Sequence, residues 1–160
     1  MVMDNKIVFL AKFFALFFVL QLLVLIADLS ILQNAISAGI SNMAGLEYSG
    51  KFVMVKDGAF EITPSCTGLV SAAILASIIF SLRKPDMKNK FLLFFAGAIM
   101  LFAVNYFRVL FVVIAGKEFG IEAAEMLHII SWFVMSAGII IVWYWFTKKF
   151  AKIESFDGFL

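Results

Sequence analysis

The sequence predicts an all-α membrane protein with about four transmembrane helices and a small extracytoplasmic β-hairpin before the second span. Of its 160 residues, 64% are apolar and 15% are charged, and the mean hydropathy is +1.05. Soluble proteins average about 45–50% and about 25% respectively. The chain therefore lacks the polar surface that a water-soluble fold requires, and its length suits one membrane domain over 1–160.

Four apolar runs define the spans, which we place at about 7–32, 63–83, 91–115 and 128–146. The third run is roughly 37 Å long as a helix, which exceeds a hydrocarbon core of about 30 Å. The first run is longer than the apolar region of a cleaved signal peptide, so we expect a retained helix.

The basic residues set the orientation of these spans. When the spans are threaded alternately, nine of the 13 basic residues fall on one side and three on the other, and Arg108 lies inside the third span. The positive-inside rule then predicts a multi-pass protein of the cytoplasmic membrane with both termini in the cytoplasm. We expect residues 153–160 to form a loose cytoplasmic end.

The segment 33–62 is predicted to lie outside the cell. Its first part is weakly amphipathic, which is typical of a short helix in the membrane interface. The apolar period then changes to two on either side of Lys56-Asp57-Gly58. This pattern predicts a hairpin in which Asp-Gly supplies the positive φ of the turn.

The hairpin leads into Thr63-Pro64-Ser65-Cys66-Thr67-Gly68, at the start of the second span. Proline suits a first helical turn, and hydroxyl side chains cap free amides. At a helix N-terminus Cys66 would be favoured as a thiolate, although a small buried apolar residue is an equal alternative. As the only cysteine of the chain, it cannot form an internal disulfide.

Four further polar residues lie in or beside the spans. An arginine inside a membrane is costly and usually faces the bundle interior at a site, which makes Arg108 a candidate. Asn105, three residues earlier, shares its helical face and would orient the guanidinium or satisfy a backbone group. His128 begins the fourth span. Asp28, near the end of the first span, either pairs with Arg108 or His128 or faces the lipid headgroups.

The topology places Cys66, Arg108 and His128, from three separate spans, near the outer boundary of the membrane. A thiolate, an imidazole that exchanges protons and a cation that stabilises an anion are the groups that thiol acyl transfer requires.

These residues also resemble the motifs of the exosortase/archaeosortase family of integral-membrane cysteine enzymes. Ser65-Cys66-Thr67-Gly68 looks like the family's Ser/Thr-Cys-Ser/Thr-Gly nucleophile motif. Asn105-Tyr106-Phe107-Arg108 is similar to its Asn-x-x-Arg motif, and His128 takes its third catalytic position. The resemblance covers roughly 53–145.

The resemblance implies a membrane cysteine protease or transpeptidase. Cys66 would cleave the C-terminal sorting signal of secreted surface proteins through a thioester, His128 would act as general acid and base, and Arg108 would stabilise the thiolate or oxyanion. A lipid, a surface-polymer precursor or water would then take the acyl group at the extracytoplasmic face. We expect supporting roles for a further set of residues: Asn105, Ser65, Thr67, Gly68 and Asp28.

Two alternatives remain open at this stage. A small-molecule transporter or binding subunit would use Asp28 and Arg108, and a membrane scaffold would use none of these groups for chemistry. Nucleic-acid binding is excluded because a net charge of +2 provides no basic stripe. We expect no cofactor, and one histidine with one cysteine cannot supply an ordinary zinc site.

Overall fold

The chain forms a bundle of helices with a small antiparallel sheet near one end. The structure, a computed structural model, describes residues 5–151 apart from the side chains of 146, 147 and 149–151. The elements in chain order are α1 (Asn5–Ile26), α2 (Ser30–Ala44), β1 (Tyr48–Ser49), β2 (Phe52–Val55), β3 (Gly58–Glu61), a 3₁₀ turn (Pro64–Thr67), α3 (Leu69–Ser81), α4 (Met87–Phe119) and α5 (Ile121–Ala151).

The long helices pack side by side around α3 and α4. α1 packs against α3, α3 against α4, and α4 against α5. Within the described residues, three helices are long and apolar enough to cross a membrane: Asn5–Ile26, Met87–Phe119 and Ile121–Trp145. α3 is apolar but has only 13 residues, about 20 Å of helix. The predicted all-α membrane fold with a small extramembrane hairpin is confirmed.

The first predicted span, 7–32, is wrong at its C-terminal end, because two helices occupy it. α1 ends at Ile26 and α2 begins at Ser30. Between them, the Asp28 carboxylate accepts a hydrogen bond from the backbone N–H of Ser30 at 3.0 Å. Such a bond between residues two apart favours a turn over continued helix. α2 is the short helix that the amphipathic pattern predicts.

The other predicted spans also differ in their bounds. α4 extends four residues beyond 91–115 at each end, and α5 begins seven residues before 128. Only Gly120, at a φ of +96°, separates these two helices. The predicted span 63–83 contains both the 3₁₀ turn and the short α3. The predicted loose end at 153–160 lies outside the described residues.

The predicted hairpin exists, but the reason given for its turn is wrong. Val55 pairs with Gly58, so the turn residues are Lys56 and Asp57, and Gly58 begins β3 without a positive φ. A Cβ at Gly58 would instead lie 3.3 Å from the Cβ of Ile121. Glycine at this position therefore lets the hairpin approach the start of α5 closely.

The hairpin also caps α5. The carboxylate of Asp57 accepts a hydrogen bond from the backbone N–H of Ile121, the first residue of that helix, at 2.7 Å. An acidic acceptor satisfies an N–H that the helix itself leaves unpaired. On the inner face of the sheet, Val53 and Phe60 are buried in a cluster that includes Cys66 and Val109. The sheet therefore covers the region around the cysteine.

Candidate active site

Cys66 lies in the 3₁₀ turn that joins the hairpin to α3, and its side chain is fully buried. Its backbone N–H donates to the carbonyl oxygen of Thr63 at 2.9 Å. The hydroxyl of Thr63 lies 3.4 Å from the thiol sulfur and 2.6 Å from the hydroxyl of Ser65. The thiol therefore ends a short chain of hydroxyl groups.

The position of Cys66 differs from the expected helix N-terminus, because Gly68 interrupts the backbone before α3. Gly68 has a φ of +84°, which favours glycine. It is the C-cap residue of the 3₁₀ turn and the N-cap residue of α3. The hydroxyl of Thr67 donates to the carbonyl of Pro64 at 2.6 Å, which closes the turn. Local hydrogen bonds, rather than the amides of α3, hold the cysteine in place.

Asn105 fixes this turn from α4. Its side-chain amide donates to the carbonyl oxygen of Cys66 at 2.6 Å, and the pair is buried. Of the two roles expected for Asn105, the structure shows the satisfaction of a backbone group. The turn that holds Cys66 is therefore bonded directly to the helix that carries Arg108.

Arg108 lies one helical turn after Asn105 and is half-buried. Its Nε and Nη2 atoms are buried and have no hydrogen-bond partner within residues 5–151. The guanidinium carbon lies 5.8 Å from the centre of the Trp132 ring. A buried guanidinium with unused N–H groups is a ready donor to an anion or a carbonyl oxygen.

His128 approaches from α5 and is also half-buried. Its Nε2 accepts a hydrogen bond from the indole N–H of Trp132 at 3.3 Å. Its ring meets that of Phe60, from β3, edge to face at 5.7 Å between centres. The Nδ1 of His128 is buried without a partner among the described residues.

The structure does not bring Asp28 to these residues. Its side chain is exposed in the link between α1 and α2, where the backbone N–H of Ser30, and then its hydroxyl, lower the pKa of the carboxyl group. Within the described residues, its carboxylate forms no ion pair with Arg108 or His128. Asp28 therefore accepts a hydrogen bond from the first residue of α2 and lies in a surface turn.

Comparison with known families decides what kind of protein this is. The family model described as transmembrane exosortase matches residues 6–144. The chain belongs to the exosortase family. No curated protein and no solved structure matches the chain. In this exosortase, the matched segment contains the 3₁₀ turn with Cys66, the whole of α4 and the part of α5 that carries His128.

A groove leads from the exposed surface of the helix bundle to Arg108 in this exosortase. It lies between α4 and α5 and encloses about 380 Å³. Apart from the guanidinium and a serine hydroxyl its walls are apolar, and they include Phe111, Ile130 and Val134. These three side chains are exposed, as expected for a surface that faces lipid. The groove therefore opens on the exposed apolar surface of α4 and α5 and reaches the half-buried Arg108.

Sequence reasoning missed two residues of the site of this exosortase. Trp132 touches both Arg108 and His128, and Phe60 packs against His128. The spacing of four residues between His128 and Trp132 places both on one helical face, which is a signal available in the sequence. The contact of Phe60 depends on how the hairpin docks against α5, and no local pattern encodes it.

Proposed function

We propose that this exosortase is a membrane cysteine peptidase or transpeptidase that cleaves the C-terminal sorting signal of secreted proteins through a thioester on Cys66. The observation that carries the proposal is a set of contacts that links the three residues: Asn105, on the helix of Arg108, bonds the Cys66 carbonyl, and Trp132 contacts both Arg108 and His128. Cys66, Arg108 and His128 come from three separate elements, and the two basic side chains keep buried polar atoms that have no partner within residues 5–151. Unpaired buried groups are costly for a purely structural protein.

In the proposed reaction Cys66 is the nucleophile, Arg108 stabilises the oxyanion, and His128 first accepts a proton and then donates it. The thiol proton of Cys66 passes to His128, and the sulfur attacks the scissile carbonyl carbon. The N–H groups of Arg108 donate to the oxyanion, as donors aimed at developing charge do in acyl transfer. When the C–N bond breaks, His128 returns the proton to the departing amine, which leaves a thioester. An amine acceptor or water then attacks the thioester and regenerates the thiol.

The groove between α4 and α5 offers a place for the apolar helix of the sorting signal. A substrate anchored in the same bilayer would lay one face of its helix against Phe111 and Val134. The peptide bond beside that helix would then lie near Arg108 at high effective concentration. Since Cys66 is fully buried in the absence of substrate, side chains above the thiol must move when the peptide enters.

We place the active site at the extracytoplasmic face. Lys12 and Arg83 line one pocket at the end of the bundle where α1 begins and α3 ends. The sheet and Cys66 lie at the other end of α3. The excess of basic residues at the first end supports a cytoplasmic orientation for it, and hence for both termini.

A processing assay tests the proposal. The probe is a secreted protein, encoded by the same genome, that ends in an apolar helix and a basic tail. We expect co-expressed wild type to remove the tail and Cys66→Ala to leave it attached. Hydroxylamine should trap the acyl group as a hydroxamate only with the wild type. Intact processing by Cys66→Ala at equal abundance would refute the proposed nucleophile.

The same variants separate the alternatives. A transporter predicts that Arg108→Gln abolishes function while Cys66→Ser is silent, and a scaffold predicts that both act only through abundance. Of the two alternatives for Asp28, its exposed position beside Ser30 speaks against a pair with Arg108, and this weakens the transport hypothesis.

The groove itself is tested by filling it. Val134→Trp should prevent processing of the anchored probe, because the indole ring would occupy the groove. Ile141→Trp is the matched control, since Ile141 is equally exposed on α5 but does not line the groove. Equal processing by the two variants would exclude the groove as the binding surface.

A further inference from the structure

Trp132 contacts both basic side chains of the candidate active site. Its indole N–H donates to Nε2 of His128 at 3.3 Å, and its ring lies 5.8 Å from the guanidinium carbon of Arg108. The indole and imidazole rings meet at 83°, with 6.3 Å between their centres. One side chain therefore contacts both basic groups.

The hydrogen bond has a consequence for the protonation of His128. An indole nitrogen can only donate, so Nε2 must present a lone pair to it. A neutral imidazole carries one proton, which then lies on Nδ1. Because Nδ1 is buried and has no partner within the described residues, Trp132 is the neighbour that selects between the two tautomers.

We propose that Trp132 is a positioning residue that holds His128 as the neutral Nδ1–H tautomer, so that Nε2 is the nitrogen that exchanges protons in the reaction. The proposal rests on the proposed catalytic role of His128. The indole N–H occupies the lone pair of Nε2 until the thiol proton arrives. That proton moves from sulfur to Nε2 and then from Nε2 to the departing amine. The indole hydrogen bond breaks and re-forms, and no proton leaves the indole.

The chain offers a direct measurement, because His128 is its only histidine. Labelling histidine with ¹⁵N, in a protein purified without a histidine tag, gives the NMR spectrum of one imidazole. We expect the resting wild type to show a protonated Nδ1 and a hydrogen-bonded, unprotonated Nε2. Trp132→Phe keeps an aromatic ring beside Arg108 but removes the donor, so its spectrum should shift towards the Nε2–H tautomer.

The matched control is Trp145→Phe, an exposed tryptophan further along α5, which should leave the imidazole spectrum unchanged. A wild-type spectrum dominated by the Nε2–H tautomer would overturn the proposal, and so would a Trp132→Phe spectrum identical to wild type. The wild-type result decides even if the variant does not fold.

Activity provides a second readout. With the anchored probe, Trp132→Phe should lower kcat at least tenfold with little change in KM, since misplaced acid–base groups lose part of a factor of about 10²–10⁴. An unchanged kcat would contradict the positioning role. The tautomer is measured without substrate, so a failure of the proposed peptidase function, seen as processing by Cys66→Ala, is distinguishable from a failure of this inference.

Discussion

Replacing Gly68 by alanine should destabilise the protein by about 2–5 kcal/mol, because two independent costs act at one position. A residue with a side chain pays roughly 1–2 kcal/mol to adopt the left-handed backbone found at a φ of +84°. The new Cβ would also lie 2.7 Å from a ring carbon of Phe102 and 3.3 Å from the amide nitrogen of Asn105. Overpacking of this kind costs about 1–3 kcal/mol.

The assay uses the only cysteine as the reporter. Cys66 is fully buried, so a thiol-reactive fluorogenic dye should label it only when the site opens. We expect Gly68→Ala in detergent to become labelled at a temperature several degrees lower than the wild type. The matched control is Gly138→Ala, because Gly138 lies within α5 and a Cβ there would have no neighbour within 4 Å. It should be neutral or stabilising by about 0.5–1 kcal/mol.

The outcome can refute the reasoning in two ways. If the free energy of unfolding of Gly68→Ala, obtained from its labelling, lies within about 0.5 kcal/mol of the wild-type value, the backbone relaxes without strain. A loss of equal size in Gly138→Ala would mean that the assay reports general sensitivity of the bundle to glycine replacement. Either result would remove the structural explanation for glycine at position 68, beside the turn that holds Cys66.

Two further predictions concern the contacts that hold the site together. Asn105→Ala should cost about 1–3 kcal/mol in the same assay, since it leaves the buried carbonyl of Cys66 unpaired. Asn89→Ala, which removes an exposed side-chain hydrogen bond, should stay within about 0.5 kcal/mol of the wild type. Asp57→Ala should cost about 1 kcal/mol, because it removes the acceptor that caps α5 at Ile121. Asp57→Asn keeps an acceptor and should recover most of the lost stability. Equal losses in the two variants would exclude the cap.

The fold class could be predicted from sequence because it depends on composition and on the length of apolar runs. The bounds of the spans could not, since apolar residues lie on both sides of the turn between α1 and α2 and the polar Asp28 and Ser30 interrupt them only singly. Asp28 illustrates the problem: a carboxylate near the end of a run is compatible with an ion pair in the membrane or with a local turn. Only its bond to Ser30 distinguishes them.

The candidate site was predictable as a set of residue types but not as an arrangement. The lone Cys66, the intramembrane Arg108 and the single His128 stand out because polar groups are rare in this chain. Their relative positions depend on helix rotation and on the docking of the sheet, which neither composition nor spacing specifies. For the same reason the contacts made by Trp132 and Phe60 required the structure.

The hairpin described above determines the separation between the proposed nucleophile and the proposed base. β3 continues directly into the turn that holds Cys66, its Phe60 packs on His128, and the tip of the hairpin is bonded to the first residue of α5. An insertion in this hairpin would therefore change the active-site spacing, whereas one between α3 and α4, at the other end of the bundle, would leave it intact. In an engineered exosortase, the α3–α4 connection is the place to attach a reporter or an additional domain.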